Sequence, residues 1–318
     1  MTKKSLFITL LFAICAGIVF ACAKFWYNRQ ADAQSLGQYA FAETKQNIAL
    51  ISGVQFITSE DDEINIVREG DYWRFKEAEN YFASNEMLTA FYAMINNALI
   101  LDVQEIEGNR LEDLRKQSTK MIIYDNEKHK MAEWLITEKI DRQGNRLAHK
   151  AGSSYIYKLG NVGIFSGSGE DWVPMPLISI SEGIMSGMTL NGKFISSEVL
   201  KNSAKKSAFA QQLLEAVQFM RYGGIIKKEE FTEVIEGITP HRVLVHTIPG
   251  MIYVLNIYKV AGDYYISIDF SQEKISRVEV PDLIKSIRPY YDDWFFMLNE
   301  EQGKILYQTQ KDNAKSDN

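Results

Sequence analysis

The chain of 318 residues is 46% hydrophobic and 24% charged, proportions of a packed globular protein that exclude wholesale disorder and collagen-like repeats. A formal net charge of -6 argues against a general nucleic-acid binder. The only cysteines, Cys15 and Cys22, supply neither a disulfide framework nor a structural thiolate zinc site, and six prolines make no Pro-rich linker.

Lys3 and Lys4 precede an uncharged apolar run from Ser5 to Ala23. As a helix it would span about 28 Å, close to the hydrocarbon core of a bilayer. Three readings are open. An uncleaved anchor fits the length of the run and the Phe25-Trp26-Tyr27 triplet at interfacial depth. A cleaved signal fits Ala21-Cys22-Ala23, a small-x-small site. A lipoprotein would carry its lipid on Cys22, with Phe20 bulky for that recognition. The bulk of the chain follows the run and contains no cysteine, as suits a domain in an oxidising compartment. The expected location is therefore the inner membrane, single pass, with the body extracytoplasmic.

Residues 24–51 read as a polar, Ala-rich spacer. From Ser52, apolar residues alternate through Val54, Phe56, Ile64, Ile66 and Tyr72–Phe75, with Gly70-Asp71 as a turn. An amphipathic helix is predicted over Ser84–Leu101, capped by Ser84 and presenting Met87, Leu88, Phe91, Ile95 and Ala98 on one side. Strands are predicted at Lys120–Tyr124, Met131–Thr137 and Ser154–Leu159, before a Gly/Ser patch that leads into Asp171-Trp172.

The order then recurs: strand Gly187–Ser196, helix Lys205–Tyr222, strands Arg242–Thr247, Met251–Val260 and Asp263–Phe270, then Asp292-Asp293-Trp294. Phe91 and Leu213, Ile122 and Leu244, and the two Asp-Trp pairs share one offset of 122 positions, while Ser52-Gly53 and Ser186-Gly187 are 134 apart. Tyr155-Ile156-Tyr157 aligns by pattern with Tyr264-Tyr265-Ile266. The predicted fold is α+β: an N-terminal transmembrane helix, then two related strands-helix-strands subdomains over residues 52–182 and 183–308. A polar, disordered tail is expected at 309–318.

Several phrases together resemble a known family. They are the N-terminal apolar segment, Arg68-Glu69-Gly70-Asp71-Tyr72-Trp73, the helix from Ser84, the Tyr155-Ile156-Tyr157 strand, and Asp171-Trp172 before an apolar stretch. The pattern is similar to the uncharacterised bacterial domain of unknown function 4340. It departs from it in the charged hairpin Asp125-Asn126-Glu127-Lys128 and in Val173-Pro174 after Trp172. The resemblance implies a membrane-anchored protein found beside ABC-type transporter or gliding-motility-like components. It assigns no catalytic residue.

Motifs for chemistry are sparse. His241 and His246 are five apart on a strand, hence on opposite faces, and His129 and His149 lie far from them in sequence. Ser203-Ala204-Lys205-Lys206 and Ser316-Asp317-Asn318 imitate two penicillin-recognising phrases, but no K-T-G accompanies them. Gly167–Asp171 lacks the residues of a phosphate loop, and Glu60–Glu63 lacks the ligand spacing of a calcium loop. No cofactor, metal or catalytic residue is assigned. The candidate partner surface is Asp292, Asp293, Trp294, Phe295 and Phe296, two acids beside three aromatics. The predicted role is a membrane-anchored binding or scaffolding protein serving other membrane proteins, an accessory of an ABC-type transport system. The alternatives are a hydrolase-like periplasmic enzyme assembled only in three dimensions and a transport-associated lipoprotein.

Overall fold

Helix α1 (Ala42–Gln46) leads into strands β1 (Ile51–Ile57), β2 (Glu63–Glu69) and β3 (Tyr72–Phe75). The structure, a computed structural model, describes residues 35–308 apart from Glu182, Lys206 and Ile275. The apolar run Ser5–Ala23, Cys22 and the C-terminal tail lie outside the described residues. No helix among those described is long and apolar enough to cross a membrane. The fold is α+β, with antiparallel sheets and packed helices.

By packing, the chain forms two units. One comprises the described residues up to Glu77 together with Ala83–Trp172; the other comprises Ala78–Phe82 and the described residues from Val173 onward. The short β4 (Tyr81–Phe82) therefore belongs to the second unit. There the Tyr81 ring sits 5.1 Å from Trp294 and 5.7 Å from Phe296, and its hydroxyl donates to the Tyr290 carbonyl at 2.9 Å.

In the first unit, α2 (Asn85–Asn97) begins where Ser84 Oγ accepts the Met87 N–H at 3.3 Å, and it buries Met87, Leu88, Phe91, Met94 and Ile95. The predicted helix was longer. Ala98 turns extended and Leu99–Glu105 becomes β5, because an apolar run that could continue a helix is captured by pairing with β9. After α3 (Arg110–Arg115) come β6 (Ser118–Asp125), β7 (Lys130–Thr137), β8 (Arg146–Lys150) and β9 (Tyr155–Gly160). The sheet runs β3-β2-β1-β6-β7-β8-β9-β5.

The second unit adds β10 (Ile178–Ser179), the hairpin β11 (Met185–Leu190) and β12 (Lys193–Ser196), and helices α4 (Ser197–Ala204) and α5 (Ala208–Gln218). The single strand predicted over Gly187–Ser196 is a hairpin because Asn191 and Gly192 both take positive φ, 50° and 77°, as a type I′ turn requires. The predicted helix Lys205–Tyr222 is likewise shorter: Ser207 caps α5, and the chain after Gln218 enters β13 (Phe219–Met220) and β14 (Tyr222–Lys227). Then follow α6 (Lys228–Phe231), β15 (His241–Thr247), β16 (Met251–Val260), β17 (Asp263–Gln272), α7 (Val280–Ile287), β18 (Trp294–Leu298) and α8 (Glu300–Gln308). The main sheet runs β12-β11-β15-β16-β17-β18-β14.

Both sheets have one topology. A hairpin (β1–β2; β11–β12) is followed by a helix and a strand sent to the far edge (β5; β14). A short helix and a four-strand meander come next, and the last strand of the meander pairs with that edge. Even the register breaks agree. The first hairpin strand shifts against the meander between Ile51 and Gly53, and between Met185 and Gly187. The edge strand shifts between Ile100 and Asp102, and between Tyr222 and Gly224. Core positions match as well: Val54 and Met188, Phe91 and Leu213, Ile95 and Val217, and Ile123 and Val245 are all buried. The first unit differs in having β3 and a further shift between Ile123 and Tyr124.

The topology overturns one landmark of the sequence alignment. Asp171-Trp172 lies in a 3-10 turn after β9, whereas Trp294 opens β18. The pairing with the edge strand instead sets Tyr155-Ile156-Tyr157 opposite Glu105-Gln104-Val103, as Trp294-Phe295-Phe296 is set opposite Lys227-Ile226-Ile225. These two triplets are the counterparts, and Tyr264-Tyr265-Ile266 on β17 corresponds to β8. Interchangeable apolar residues in short strands leave such offsets ambiguous until register is seen.

Candidate functional site

Helix α2 covers one face of the first sheet, and the opposite face is partly open. Across it run four side chains on consecutive cross-strand partners: Ile57 on β1, Lys120 on β6, Leu135 on β7 and His149 on β8. This row forms the floor of an open groove of about 560 Å³, walled by Glu112 and Arg115 from α3, by Lys116 just after it, and by Thr58, Ser59 and Asp61 from the β1–β2 turn. Strand alternation puts the row on one face, and Ser118 ties the end of α3 to β6 by donating to the Leu114 carbonyl at 2.7 Å.

Charges in the groove are unevenly paired. Glu112 is held by Arg115 at 2.7 Å, and Glu133 is held by Lys130. Lys116 and Lys120 form no ion pair with a described residue. His149 is buried, and in the tautomer that donates from Nδ1 to the Tyr155 carbonyl at 3.0 Å its Nε2 keeps a lone pair. The groove thus offers two ammonium groups and an imidazole beside the apolar Ile57, Leu135 and Ala151. That suits a ligand with an anionic group on an apolar body.

The same face of the second sheet carries a hydroxyl–imidazole–carboxylate chain. Thr189 Oγ1 is 2.8 Å from His246 Nε2, and His246 Nδ1 is 3.1 Å from Glu273 Oε1. This order of groups is the one used in nucleophilic catalysis. Two observations assign it a structural role. Thr189 is mid-strand, paired to Phe194 on one side and Leu244 on the other, so its backbone amides are committed to the ladder and not free to stabilise an oxyanion. The equivalent positions in the first unit hold Gln55 and Tyr124, whose hydroxyl donates to Gln55 Oε1 at 3.1 Å. Both sheets use this spot for a cross-strand hydrogen bond, with different chemistry. Beside it, Asn256 accepts from Arg242 Nε at 3.1 Å and donates to Asp269 at 2.8 Å.

The predicted partner surface is corrected. Trp294, Phe295 and Phe296 are buried, with Phe296 wholly enclosed by the Tyr81, Tyr222 and Tyr291 rings at 5.2–6.1 Å. A strand buried on both faces draws its aromatics inward, which leaves Asp292 and Asp293 as the turn before β18. Cys22, the candidate lipidation residue, lies outside the described residues, as do Lys206 and Ser316–Asn318 of the penicillin-like phrases. Glu60–Asp62 form the β1–β2 turn. The Gly167–Asp171 loop packs Trp172 against Phe56, ring centroids 5.2 Å apart. No group of three or more metal-ligating side chains occurs among the described residues.

His241 and His246 do face opposite sides of β15. His241 is buried on the core side, its ring 6.0 Å from Tyr307, and burial pulls its pKa below the ordinary histidine value. The folded protein therefore holds a neutral imidazole that the unfolded chain protonates below about pH 6.5. The stability it protects is complete above that pH and falls as the pH drops through the depressed folded value. Chemical denaturation at pH 7.5 and 5.5 should show a loss at the lower pH that shrinks in His241→Gln. An unchanged loss in the variant would place the acid sensitivity elsewhere.

The residues that sequence reasoning missed are those of the groove floor. The only available signal was alternation within four separate strands, and which residues become neighbours depends on pairing between strands. Against known proteins, the chain matches no family model, no curated protein and no solved structure.

Proposed function

We propose that this chain is a membrane-tethered, extracytoplasmic binding or scaffolding protein, an accessory of an ABC-type transport system, whose body arose by duplication of one α+β unit. The observation that carries the binding role is the groove over Ile57, Lys120, Leu135 and His149, where Lys116 and Lys120 form no ion pair with a described residue. The tether is supported by the apolar run Ser5–Ala23, flanked by Lys3, Lys4 and the Phe25-Trp26-Tyr27 triplet. An oxidising location is supported by the lack of any cysteine after Cys22. The transport association rests on the resemblance to the domain of unknown function 4340. The duplication is supported by the shared strand order and the coincident register shifts.

A hydrolytic role has one observation in its favour, the Thr189–His246–Glu273 chain, and one against it, the pairing of Thr189 into the ladder on both sides. In the lipoprotein variant of the same role, Cys22 becomes the mature N-terminus, which the mass of the mature chain reads directly.

A photo-crosslinking amino acid at Leu135 of the full-length chain, activated in intact envelopes, tests the groove. The expected result is a discrete adduct with a membrane protein that Lys120→Glu abolishes. No adduct, or one indifferent to Lys120→Glu, would contradict the role.

A further inference from the structure

The described chain starts at one edge of the first sheet. Gly37 N–H donates to the Ile100 carbonyl at 2.7 Å, Ile100 N–H donates to the Gln38 carbonyl at 2.9 Å, and Tyr39 bridges to Leu99. Residues 36–39 thus lie along the edge strand β5. Leu99 pairs on its other side with Gly160, which brings the turn after β9 to the same place.

Four large apolar side chains stand exposed here: Leu36 at 61%, Tyr39 at 46%, Leu101 at 47% and Ile164 at 56%. Between Tyr39 and Ile164 a shallow concavity of about 510 Å³ is floored by Ala90, Ala93 and Leu99. Lys45 bounds the patch, its ammonium 3.8 Å above the centre of the Tyr39 ring and donating to the Asn96 carbonyl at 2.8 Å. Exposed aliphatics rimmed by a phenol and an ammonium on a long stem match the gradient from acyl chains to headgroups.

Chain length limits how far this patch can lie from the apolar run. Ala23 ends the apolar run and Ser35 is the first described residue. The intervening chain, fully extended, reaches at most about 40 Å. Any bilayer holding that run therefore lies within this reach of Leu36, the nearest part of the exposed edge. We infer that the Leu36–Tyr39–Leu101–Ile164 edge is the surface that the first unit lays against the headgroup–acyl boundary beside its own anchor. This deepens the membrane-tethered reading and rests on it.

The test uses the full-length chain in phosphatidylcholine–phosphatidylglycerol vesicles, with dansylalanine at position 164 or, for comparison, at Lys128 on the exposed β6–β7 turn. Lipids bearing a nitroxide just below the headgroup serve as quencher. The inference expects loss of emission at position 164 and not at 128, and recovery of the 164 signal in Leu36→Asp. Equal quenching at both positions would overturn the docking surface while leaving the tether intact. A chain that fails to float with the vesicles would overturn the tether and the docking surface together.

Discussion

Replacing Phe296 with alanine is expected to lower the stability of the second unit by about 3–5 kcal/mol, the usual cost of deleting a fully enclosed ring. Phe296 has no exposed surface and is ringed by Tyr81, Tyr222 and Tyr291. Little nearby is free to collapse into the vacated volume. Tyr222 and Tyr291 are anchored through their hydroxyls to the Pro174 and Leu177 carbonyls, both at 2.8 Å. Burial pushes both phenols far above the ordinary tyrosine value, so they remain donors throughout the accessible pH range. Asp293→Ala should shift stability by no more than about 0.5 kcal/mol, because Lys228 N–H bonds its backbone carbonyl and not its side chain. Denaturant unfolding of the two variants separates a core strand from a partner surface. An unchanged midpoint for Phe296→Ala would restore the surface reading of 292–296.

The second large effect sets the two halves against each other. Gly53 and Gly187 occupy the same register shift, yet their surroundings differ. A Cβ at Gly187 would lie 2.5 Å from the Ile195 carbonyl and 2.6 Å from the Phe194 ring. The exposed ring can swing away, but the carbonyl belongs to the β11–β12 ladder and cannot move without breaking it. Gly187→Ala should therefore cost about 1–3 kcal/mol, as overpacking does. At Gly53 the nearest atoms are 3.7 Å away, ordinary contact. Gly53→Ala should be neutral or stabilising by up to about 1 kcal/mol through the unfolded chain's lost freedom. Unfolding midpoints decide the matter. Equal effects at the two glycines would contradict the geometry.

Elements with strong local signals were legible in the sequence. Ser84 as a cap, the apolar side of α2 and the long strands β16 and β17 follow from side-chain period and hydrogen-bonding chemistry alone. The α+β class followed from their order. Strand β5 was hidden because Leu99-Ile100-Leu101 continues the helical pattern of α2, and only pairing with β9 turns it extended. The Asn191-Gly192 turn has a local signal, because Asn-Gly is the pair that most readily takes the two positive φ angles a tight hairpin needs. The Asp-Trp coincidence misled because two residues carry little register information. The groove is assembled from Ile57, Lys120, Leu135 and His149, which are scattered over more than ninety positions of sequence. Polar residues at strand positions read as solvated faces until neighbouring strands supply the rest of the site.

Spheroplast proteolysis with fractionation tests the central claim most directly, namely that residues 5–23 carry the body across a bilayer. The account predicts full-length protein in the membrane fraction, resistant in intact cells and degraded once protease reaches the outer side of the inner membrane. Intact protein recovered in the soluble cytosolic fraction, or protected in spheroplasts until they are lysed, would contradict it.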